Sequence, residues 1–211
     1  MTDTPNITLR PSQPQDMEQA VPLIYSSGPA AFDFALCANA PEQSVAFLKS
    51  AFVAGDSEFG YHQHTSAVLD DQVVGIGGIR FAHQNFRLTL GAARAIFRFY
   101  TPLAALGVVW RGLQVERILK PPKRNVGIIY QLGVARVHQS KGIGRHLLRH
   151  LIDKIKAEGM ARAGLDVAVS NPRAQALYER EGFSVVAKHE GNLKSAFGHV
   201  GDCNYMEYPF S

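Results

Sequence analysis

A glycine-rich turn between an apolar strand and an amphipathic helix constrains this chain more than any other feature. Residues Val126 to Val134 carry no charged side chain, as expected for a central strand that is covered on both faces. The turn that follows reads Gln139-Ser140-Lys141-Gly142-Ile143-Gly144. A helix from Gly142 to Glu158 comes next, with apolar residues at helical spacing along one side. A strand, a tight turn and a helix in this order favour an α/β fold.

The chemistry of this turn points to a phosphate site. Its glycines leave backbone N–H groups uncovered and allow a ligand to approach the main chain. The helix N-terminus behind the turn carries unpaired donors and partial positive charge, which together suit a phosphate or pyrophosphate. Gln139 and Lys141 can add side-chain donors. Taken by itself, the turn is equally well interpreted as an ordinary helix start that contains glycines.

The remaining sequence pattern predicts alternating helices and strands in one domain over residues 1–211. The other predicted helices are Gln13 to Ser26, Pro41 to Val53 with Asn39 as its cap, a segment within residues 86–118, and one capped by Asn171 that ends at Gly182. The other predicted strands are Ile7 to Arg10, Ser66 to Leu69, Val73 to Phe81, Ala163 to Val169, Phe183 to Lys188 and Tyr205 to Tyr208. Gly75, Gly77 and Gly78 predict a bulge or a close backbone approach in the third strand. We expect a single mixed α/β (α+β) sheet with a helical insertion at about 84–124.

Composition and the first residues favour a globular cytoplasmic protein. The chain has 211 residues, of which 46% are hydrophobic and 19% charged. Its N-terminus lacks the basic and apolar regions of a secretory signal. Cys37 and Cys203 are too few for a disulfide framework, so we expect free thiols. The apolar run from Leu103 to Trp110 is too short to span a bilayer, and no transmembrane segment is expected.

The basic charge of the chain is concentrated in the predicted insertion. Residues 84–124 hold one acid, Glu116, against these basic groups: Arg87, Arg94, Arg98, Arg111, Arg117, Lys120, Lys123 and Arg124. The favoured interpretations are an amphipathic cover that packs its apolar stripe on the sheet and leaves arginine in water, or a homodimer contact. Nucleic acid and an acidic membrane surface are less favoured partners, and no nucleic acid is expected.

A second motif follows the next strand and strengthens the first. It consists of Leu165-Asp166-Val167, Asn171, Ala174, Tyr178 and Gly182-Phe183. With these residues and Gln139 to Gly144 in this order, the chain resembles the GNAT superfamily of acyl-CoA-dependent N-acyltransferases. The turn is similar to that family's motif A, and Asn171 to Phe183 is similar to its motif B. The resemblance implies a mostly antiparallel sheet in which the parallel fourth and fifth strands splay apart.

The resemblance also implies where the cofactor, acetyl-CoA, binds. It assigns the pantetheine arm to three residues of the fourth strand and the phosphates to the turn, and it adds two residues of motif B. These cofactor-binding candidates are Leu132, Gly133, Val134, Gln139, Ser140, Lys141, Gly142, Ile143, Gly144, Asn171 and Tyr178. The chain departs from the family in Arg136, where many members have Pro, and in Ser140, where many have Gly. We expect the Cβ of Ser140 to restrict φ and to narrow the approach of the phosphate.

Two residues are the implied catalytic candidates for direct attack of an amine on the thioester. The N–H of Val134 would polarise the thioester carbonyl, and Tyr178 would be the general acid for the CoA thiolate. A tyrosine with a pKa near ~10 needs positioning and hydrogen bonding to protonate a thiolate whose thiol has a pKa near ~8.5. The alternative for Tyr178 is an aromatic side chain that merely seals the helix.

A general base is missing where the family often has one. Residues 125–134 contain no Asp or Glu, so a water chain or a residue from elsewhere must accept the proton of the amine. The candidates from elsewhere are Asp33, in a predicted loop between the first two helices, and Glu190, His189 and His199, near the last hairpin. Asp33 and Tyr130 are also candidates for lining the acceptor site.

No metal site is expected. His146 and His150 lie four residues apart but face solvent with arginines and lack the intervening Glu of zinc proteases, and His62 and His64 lack a third ligand. The sequence therefore predicts an N-acetyltransferase that transfers an acetyl group from acetyl-CoA to a primary amine of a small molecule or protein. The alternative is a non-catalytic CoA-binding or partner-binding module of the same fold.

Overall fold

A mixed sheet of seven strands forms the centre of the computed structural model, which describes residues 7–210. In chain order, its strands and those of a small hairpin are β1 Thr8–Pro11, β2 His64–Leu69, β3 Gln72–Phe81, β4 Val126–Val134, β5 Arg162–Ala168, β6 Ser184–His189, β7 Leu193–Lys194, β8 His199–Val200 and β9 Cys203–Pro209. The order across the sheet is β1-β2-β3-β4-β5-β9-β6, and β7 pairs with β8. Every neighbouring pair is antiparallel except β4 and β5, which run parallel. The predicted fold class is confirmed.

Helices cover both faces of this sheet. They are α1 Met17–Ser26, α2 Pro29–Leu36, α3 Gln43–Ala54, α4 Asn85–Phe99, α5 Pro102–Val115, α6 Ile143–Ala157 and α7 Pro172–Arg180. The buried side chains of α1 to α5 form one core with Val73 and Ile76. The buried side chains of α6 and α7 form another core with Leu165 and Val167. The inward face predicted for the helix after the glycine-rich turn is confirmed, since its leucines and isoleucines are buried.

The N-terminal region differs from the prediction in two places. Residues 29–36 form a helix rather than a loop, because Pro29 suits the first helical turn and Phe34 and Leu36 are buried against neighbouring elements. The cap predicted at Asn39 was wrong, because α3 begins at Gln43. The Gln43 side chain instead accepts hydrogen bonds from the N–H groups of residues 38–40 and so ties the connecting loop to the helix.

A bulge in β4 opens the sheet between β4 and β5. These strands pair only from Val126 to Ile129 on β4. Next along β4, Gln131 adopts a φ of 53° and is the extra residue in the register with β3. A buried imidazole holds the bulge, since Nε2 of His64 lies 2.8 Å from Oε1 of Gln131. The predicted splay of the fourth and fifth strands is therefore present, and it starts at this bulge.

Helix α1 packs closely against the part of β4 beyond the bulge. A Cβ at Gly133 would lie 2.2 Å from the carbonyl oxygen of Leu23, so only glycine allows this approach. In β3, the register shifts between Ile76 and Gly78, and a Cβ at Gly77 would lie 2.8 Å from Leu151 of α6. The close approach predicted at the glycines of β3 is thus present, whereas the extra residue of this register shift lies in β4.

The predicted insertion forms the helical pair α4 and α5, but it does not cover the sheet as expected. It packs mainly on α3 and α2. A Cβ at Gly91 of α4 would lie 2.0 Å from the carbonyl oxygen of Asp56, so α4 lies directly on the loop after α3. Arg111 of α5 donates to the carbonyl oxygens of Ala35 and Cys37, at 3.3 and 3.2 Å, and so caps the end of α2. None of the helices within residues 7–210 has both the length and the apolar character that crossing a bilayer requires.

Candidate active site

The opening between β4 and β5 exposes backbone groups of β4. The N–H of Ala135 donates to the carbonyl oxygen of Val74 in β3, at 2.9 Å. Successive backbone groups of a strand point to opposite sides, so the N–H of Val134 points away from β3 and into the opening. The carbonyl group of Val134 points the same way, and the side-chain amide of Gln139 donates to it at 3.1 Å.

The glycine-rich turn brings an uncapped helix N-terminus to this opening. Helix α6 begins after Gly142, which has a φ of 84° and offers no side-chain cap. No atom lies within 4 Å of the position that a Cβ at Gly142 would take, so the approach to the turn is open. The Cβ position of Gly144 lies 3.5 Å from the Val134 side chain, so the turn and the end of β4 are in contact. The N–H donors of the first turn therefore face the opening.

Ser140 does not restrict the turn in the way that we expected. Its φ is 64°, in the left-handed region that glycine adopts more readily. Its Oγ accepts a hydrogen bond from the Arg173 guanidinium at 2.8 Å, which links the turn to α7. The backbone thus keeps a glycine-like conformation despite the Cβ. The sequence analysis did not single out Arg173. Its position two residues after the helix cap Asn171 could have indicated a cation near the phosphate turn.

Helix α7 contributes Asn171 and Tyr178. The side-chain oxygen of Asn171 accepts from the N–H of Ala174 at 3.2 Å, so the predicted cap is confirmed. The Tyr178 ring is 8% exposed and packs near Phe183, with ring centroids 6.1 Å apart. Within residues 7–210, burial and not a hydrogen bond accounts for the shift in the pKa of its hydroxyl. Burial raises the pKa of Tyr178 to about 12, so the hydroxyl keeps its proton at neutral pH.

Asp166 is the functional candidate that the sequence interpretation missed. It follows the last β5 residue that pairs with β4, and it alternates with Leu165 and Val167, which pack toward α6. Its carboxyl therefore points to the opposite face of the sheet from Tyr178. Burial raises the pKa of this carboxyl to about 7, although the positive charge of Lys120 lowers it. A carboxylic acid inside an otherwise apolar strand was the available signal.

Of the four predicted bases, His189 lies beside Asp166. Nδ1 of His189 is 3.8 Å from Oδ1 of Asp166, and both atoms are buried without a hydrogen-bond partner within residues 7–210. The two atoms are too far apart for a direct hydrogen bond, and both are left without the partner that buried polar atoms usually have. Glu190 and His199 are exposed on the surface.

The side chains of Asp33 and Tyr130 form hydrogen bonds within the protein. Asp33 lies in α2 rather than in a loop, and it accepts from the Tyr25 hydroxyl at 2.7 Å and from Oγ of Ser44 at 2.6 Å. Its carboxylate therefore ties three helical segments together. The Tyr130 hydroxyl donates to the carbonyl oxygen of Glu58 at 2.8 Å, and burial raises its pKa.

No group of three metal-ligating side chains comes together in the part of the chain from residue 7 to residue 210. His64 is buried, and burial lowers its pKa. Its two ring nitrogens lie 2.8 Å from the Gly60 carbonyl oxygen and from Gln131. The imidazole thus supports the bulge of β4.

Known proteins share parts of this sequence. The chain is 45% identical over 71 residues to a mycothiol acetyltransferase of Beutenbergia cavernae, covering 34% of this chain and 24% of that protein. It is 36% identical over 83 residues to a [ribosomal protein bS18]-alanine N-acetyltransferase of Salmonella typhimurium, covering 39% of this chain and 55% of that protein. The chain thus spans about a quarter and about half of the length of these two relatives.

Solved structures and a family profile cover far more of the chain. An N-acetyltransferase from Staphylococcus aureus Mu50 superposes with a TM-score of 0.70 at 14% identity, over 95% of this chain and 99% of that one. Another acetyltransferase reaches a TM-score of 0.67 at 21% identity, over 97% and 100%. These similarities show the fold. The profile of the acetyltransferase (GNAT) family matches residues 36–183, which is more than half of the sequence. The chain therefore belongs to the acetyltransferase (GNAT) family.

Proposed function

We propose that this protein transfers an acetyl group from acetyl-CoA to a primary amine of a small molecule or a protein. The observation that carries the proposal is the arrangement around the opening of the sheet. The uncapped N-terminus of α6 and the N–H of Val134 face this opening, while Tyr178 and Asp166 flank it from opposite faces. In this proposal they would serve as donors for phosphates, a donor for a carbonyl oxygen, a proton donor and a proton acceptor.

The residues at the turn fit the phosphates of acetyl-CoA. The N–H groups of Ile143 and Gly144 have no side-chain cap, and the Cβ position of Gly142 meets no other atom within 4 Å. Lys141 and Arg173 add exposed positive charge beside these donors. A pyrophosphate at a helix N-terminus is stabilised by the same combination of donors and charge.

Acetyl-CoA, when bound, would supply an acetyl thioester for attack by the amine. The N–H of Val134 would donate to the carbonyl oxygen, where negative charge develops. The Tyr178 hydroxyl would give its proton to the departing sulfur as the carbon–sulfur bond breaks. Because the pKa of Tyr178 is raised to about 12, the hydroxyl is protonated but is a weak acid, so positioning must provide most of its effect.

Asp166 would accept the proton that the amine must lose. A free alkylamine with a pKa near ~10 is almost fully charged at neutral pH, and only its neutral form attacks. Since the pKa of Asp166 is raised to about 7, its carboxylate is a better base than an exposed aspartate while still being ionised above neutral pH. The nitrogen of an ammonium ion loses two protons when it becomes an amide. The first would go to Asp166 before attack, and the second would leave as the carbon–sulfur bond breaks and replace the proton that Tyr178 gives to sulfur, so the transfer is balanced.

The groups around Asp166 favour an acceptor that arrives as an ammonium ion. His189 and Tyr205 stack beside it, with ring centroids 6.1 Å apart, and Tyr205 donates to Glu207 at 2.9 Å. Acidic and aromatic groups suit an amine that arrives as an ammonium ion. One relative is named for mycothiol acetylation and another for acetylation of an alanine of ribosomal protein bS18, so both a small-molecule amine and a protein amine are proposed acceptors.

Calorimetric titration with acetyl-CoA and with free CoA tests the phosphate site. We expect micromolar affinity, and we expect Lys141→Ala combined with Arg173→Ala to weaken binding by about tenfold or more, since hydrogen bonds to charged groups contribute about 1.5–3 kcal/mol each. Lys156→Ala, which removes an exposed charge near the far end of α6, should leave affinity unchanged. Absence of binding at high micromolar ligand would refute the proposal.

Incubation of the protein and acetyl-CoA with a panel of amines then tests catalysis, with release of the CoA thiol as the readout. Turnover with any amine would eliminate the alternative of a non-catalytic CoA-binding module. Binding of acetyl-CoA without turnover across small amines and peptide N-termini would favour that alternative.

A further inference from the structure

The outer face of the helical pair α4 and α5 is unusually apolar for a surface. Most of the large apolar side chains that are exposed within residues 7–210 lie on these two helices. They are Phe86, Leu90, Phe97, Phe99, Leu103, Leu106, Trp110 and Leu113. Phe86 and Leu103 are each 83% exposed, and Trp110 is 56% exposed. Exposed apolar side chains concentrated on one helical pair in this way indicate an interaction surface.

Apart from Phe99, whose ring packs on Phe47 and Tyr100, these side chains form two stripes that point away from the protein. Leu103, Leu106, Trp110 and Leu113 recur at the spacing of one helix face, while Ala105 and Val108 of the same helix are buried. In α4, Leu88, Gly91 and the residues 95–96 are the buried ones. Because α4 packs on α3 and α5 packs on α2, both exposed stripes face outward. We call this surface the outer face of α4 and α5.

The same surface is basic. From Asn85 to Val115 the sequence contains no Asp or Glu. Arg87, Arg94 and Arg98 are exposed on α4, and no carboxylate within residues 7–210 pairs with any of them. Arginines without counter-charges therefore stand beside the leucines and aromatic side chains. This combination requires a partner that offers both anionic groups and an apolar interior.

Three kinds of partner can be compared on this basis. A second copy of the chain would bring arginines against arginines, because the face offers them no acid. Single-stranded nucleic acid would match the arginines and could stack on aromatic rings, but the leucines offer no ring for a base. The surface of an anionic bilayer accepts leucine and phenylalanine at its acyl boundary, tryptophan at the interface and arginine at its phosphates.

We propose that the outer face of α4 and α5 docks on the surface of anionic phospholipid bilayers. The helices would lie in the plane of the interface, with Leu103, Leu106 and Phe97 in the acyl boundary and Arg94 and Arg98 at lipid phosphates. Such docking holds the protein at the membrane without any spanning segment. It uses none of the groups around the opening of the sheet, so its test is independent of the test of acetyl transfer.

Flotation with vesicles, together with fluorescence of the single tryptophan, tests this surface. Trp110 is the only tryptophan, so its emission reports on the outer face directly. With vesicles of phosphatidylcholine and phosphatidylglycerol at low salt, we expect flotation and a blue shift of Trp110 emission. With phosphatidylcholine alone we expect far weaker binding, and added salt should release the protein.

Two variants and a matched control separate the contributions of the arginines and of the leucines to vesicle binding. Arg94→Gln with Arg98→Gln should lower partitioning by roughly 30-fold, as expected for two cations removed from an anionic surface. Leu103→Ser with Leu106→Ser should weaken binding at least as much and should keep Trp110 as the reporter. The control is Lys156→Gln with Arg180→Gln, which makes the same charge change on exposed residues of α6 and α7 and should leave binding unchanged.

The proposal would be overturned by any of three results. The first is no binding to anionic vesicles at low salt. The second is a dimer in sedimentation equilibrium that the Leu103→Ser and Leu106→Ser variant dissociates. The third is a single-stranded oligonucleotide that binds the protein more tightly than vesicles do and displaces them from it.

Discussion

Replacing Asp166 with asparagine should lower activity and raise stability at the same time. The amide is nearly isosteric with the carboxyl but cannot accept a proton from the amine. General bases contribute about 10²- to 10⁴-fold, so we expect a loss of that order in kcat/KM at pH 7. In the unmodified protein, the acidic limb of the pH profile should lie near the pKa of Asp166, about 7. In Asp166→Asn it should move toward the pKa of the free amine, near ~10.

The stability change follows from the raised pKa of Asp166. An unperturbed aspartate carboxyl has a pKa of 3.8, whereas burial raises the pKa of Asp166 to about 7 in the folded protein. Folding therefore becomes less favourable as pH rises from about 4 to 7, because the buried carboxyl must ionise against its surroundings. The difference between the two pKa values sets an upper limit of about 4 kcal/mol on that cost at pH 8. Asp166→Asn removes the cost, and even half of the limit would raise Tm by about 4 to 8 °C.

Thermal unfolding of both proteins at pH 4 and pH 8, alongside pH–rate profiles, makes the comparison. We expect the gain in Tm at pH 8 to disappear toward pH 4, where the native carboxyl is protonated. Asp153→Asn, the same change at an exposed position of α6, serves as the control and should alter neither property. An Asp166→Asn protein with the original pH profile, or one that is less stable at pH 8, would show that this account of the carboxyl is wrong.

Two further changes test the acid and the packing of the insertion. Tyr178→Phe removes a hydroxyl whose pKa is shifted by burial and by no hydrogen bond within residues 7–210, so we expect an unchanged Tm. We also expect kcat to fall by about 10²-fold while the affinity for acetyl-CoA, measured by calorimetry, is retained. An equal loss of binding would indicate a structural role instead. Gly91→Ala places a Cβ 2.0 Å from the Asp56 carbonyl oxygen and should destabilise the fold by about 1–3 kcal/mol in chemical denaturation. Gly112→Ala, where no atom lies within 4 Å, should be neutral or stabilise by about 0.5–1 kcal/mol, and equal effects of the two alanines would contradict the packing.

The elements next to the glycine-rich turn could be predicted from the sequence because local rules decide them. Residues 126–134 carry an uninterrupted apolar pattern and form β4 over those residues. The cap at Asn171 has a local hydrogen-bond partner and is also as predicted. Helix α2 was not predicted, because its side chains are buried by contacts with distant elements. The start of α3 was also predicted wrongly, because the Gln43 side chain bonds to the loop that precedes this helix.

The base and the insertion depended on tertiary contacts that no local pattern contains. The sequence analysis expected a water chain or a residue from elsewhere, such as Asp33, Glu190, His189 or His199, to act as the base. The base proposed from the structure is instead Asp166, which follows the last β5 residue that pairs with β4. The insertion was expected either to turn its apolar stripe inward onto the sheet or to form a homodimer contact. It packs mainly on α3 and α2 rather than on the sheet, and eight of its large apolar side chains are exposed.

The bulge at Gln131 creates a sheet edge inside the protein rather than at its rim. Beyond it, the backbone of residues 132–134 lacks a neighbour in β5, as an edge strand lacks one, while α1 and α6 pack against β4. Its amide hydrogens on the open side should exchange with solvent far faster than those of residues 126–129, which are paired on both sides. A ligand that enters as an extended chain would complete the ladder as an added strand does, and protection of these amides would then report occupancy residue by residue.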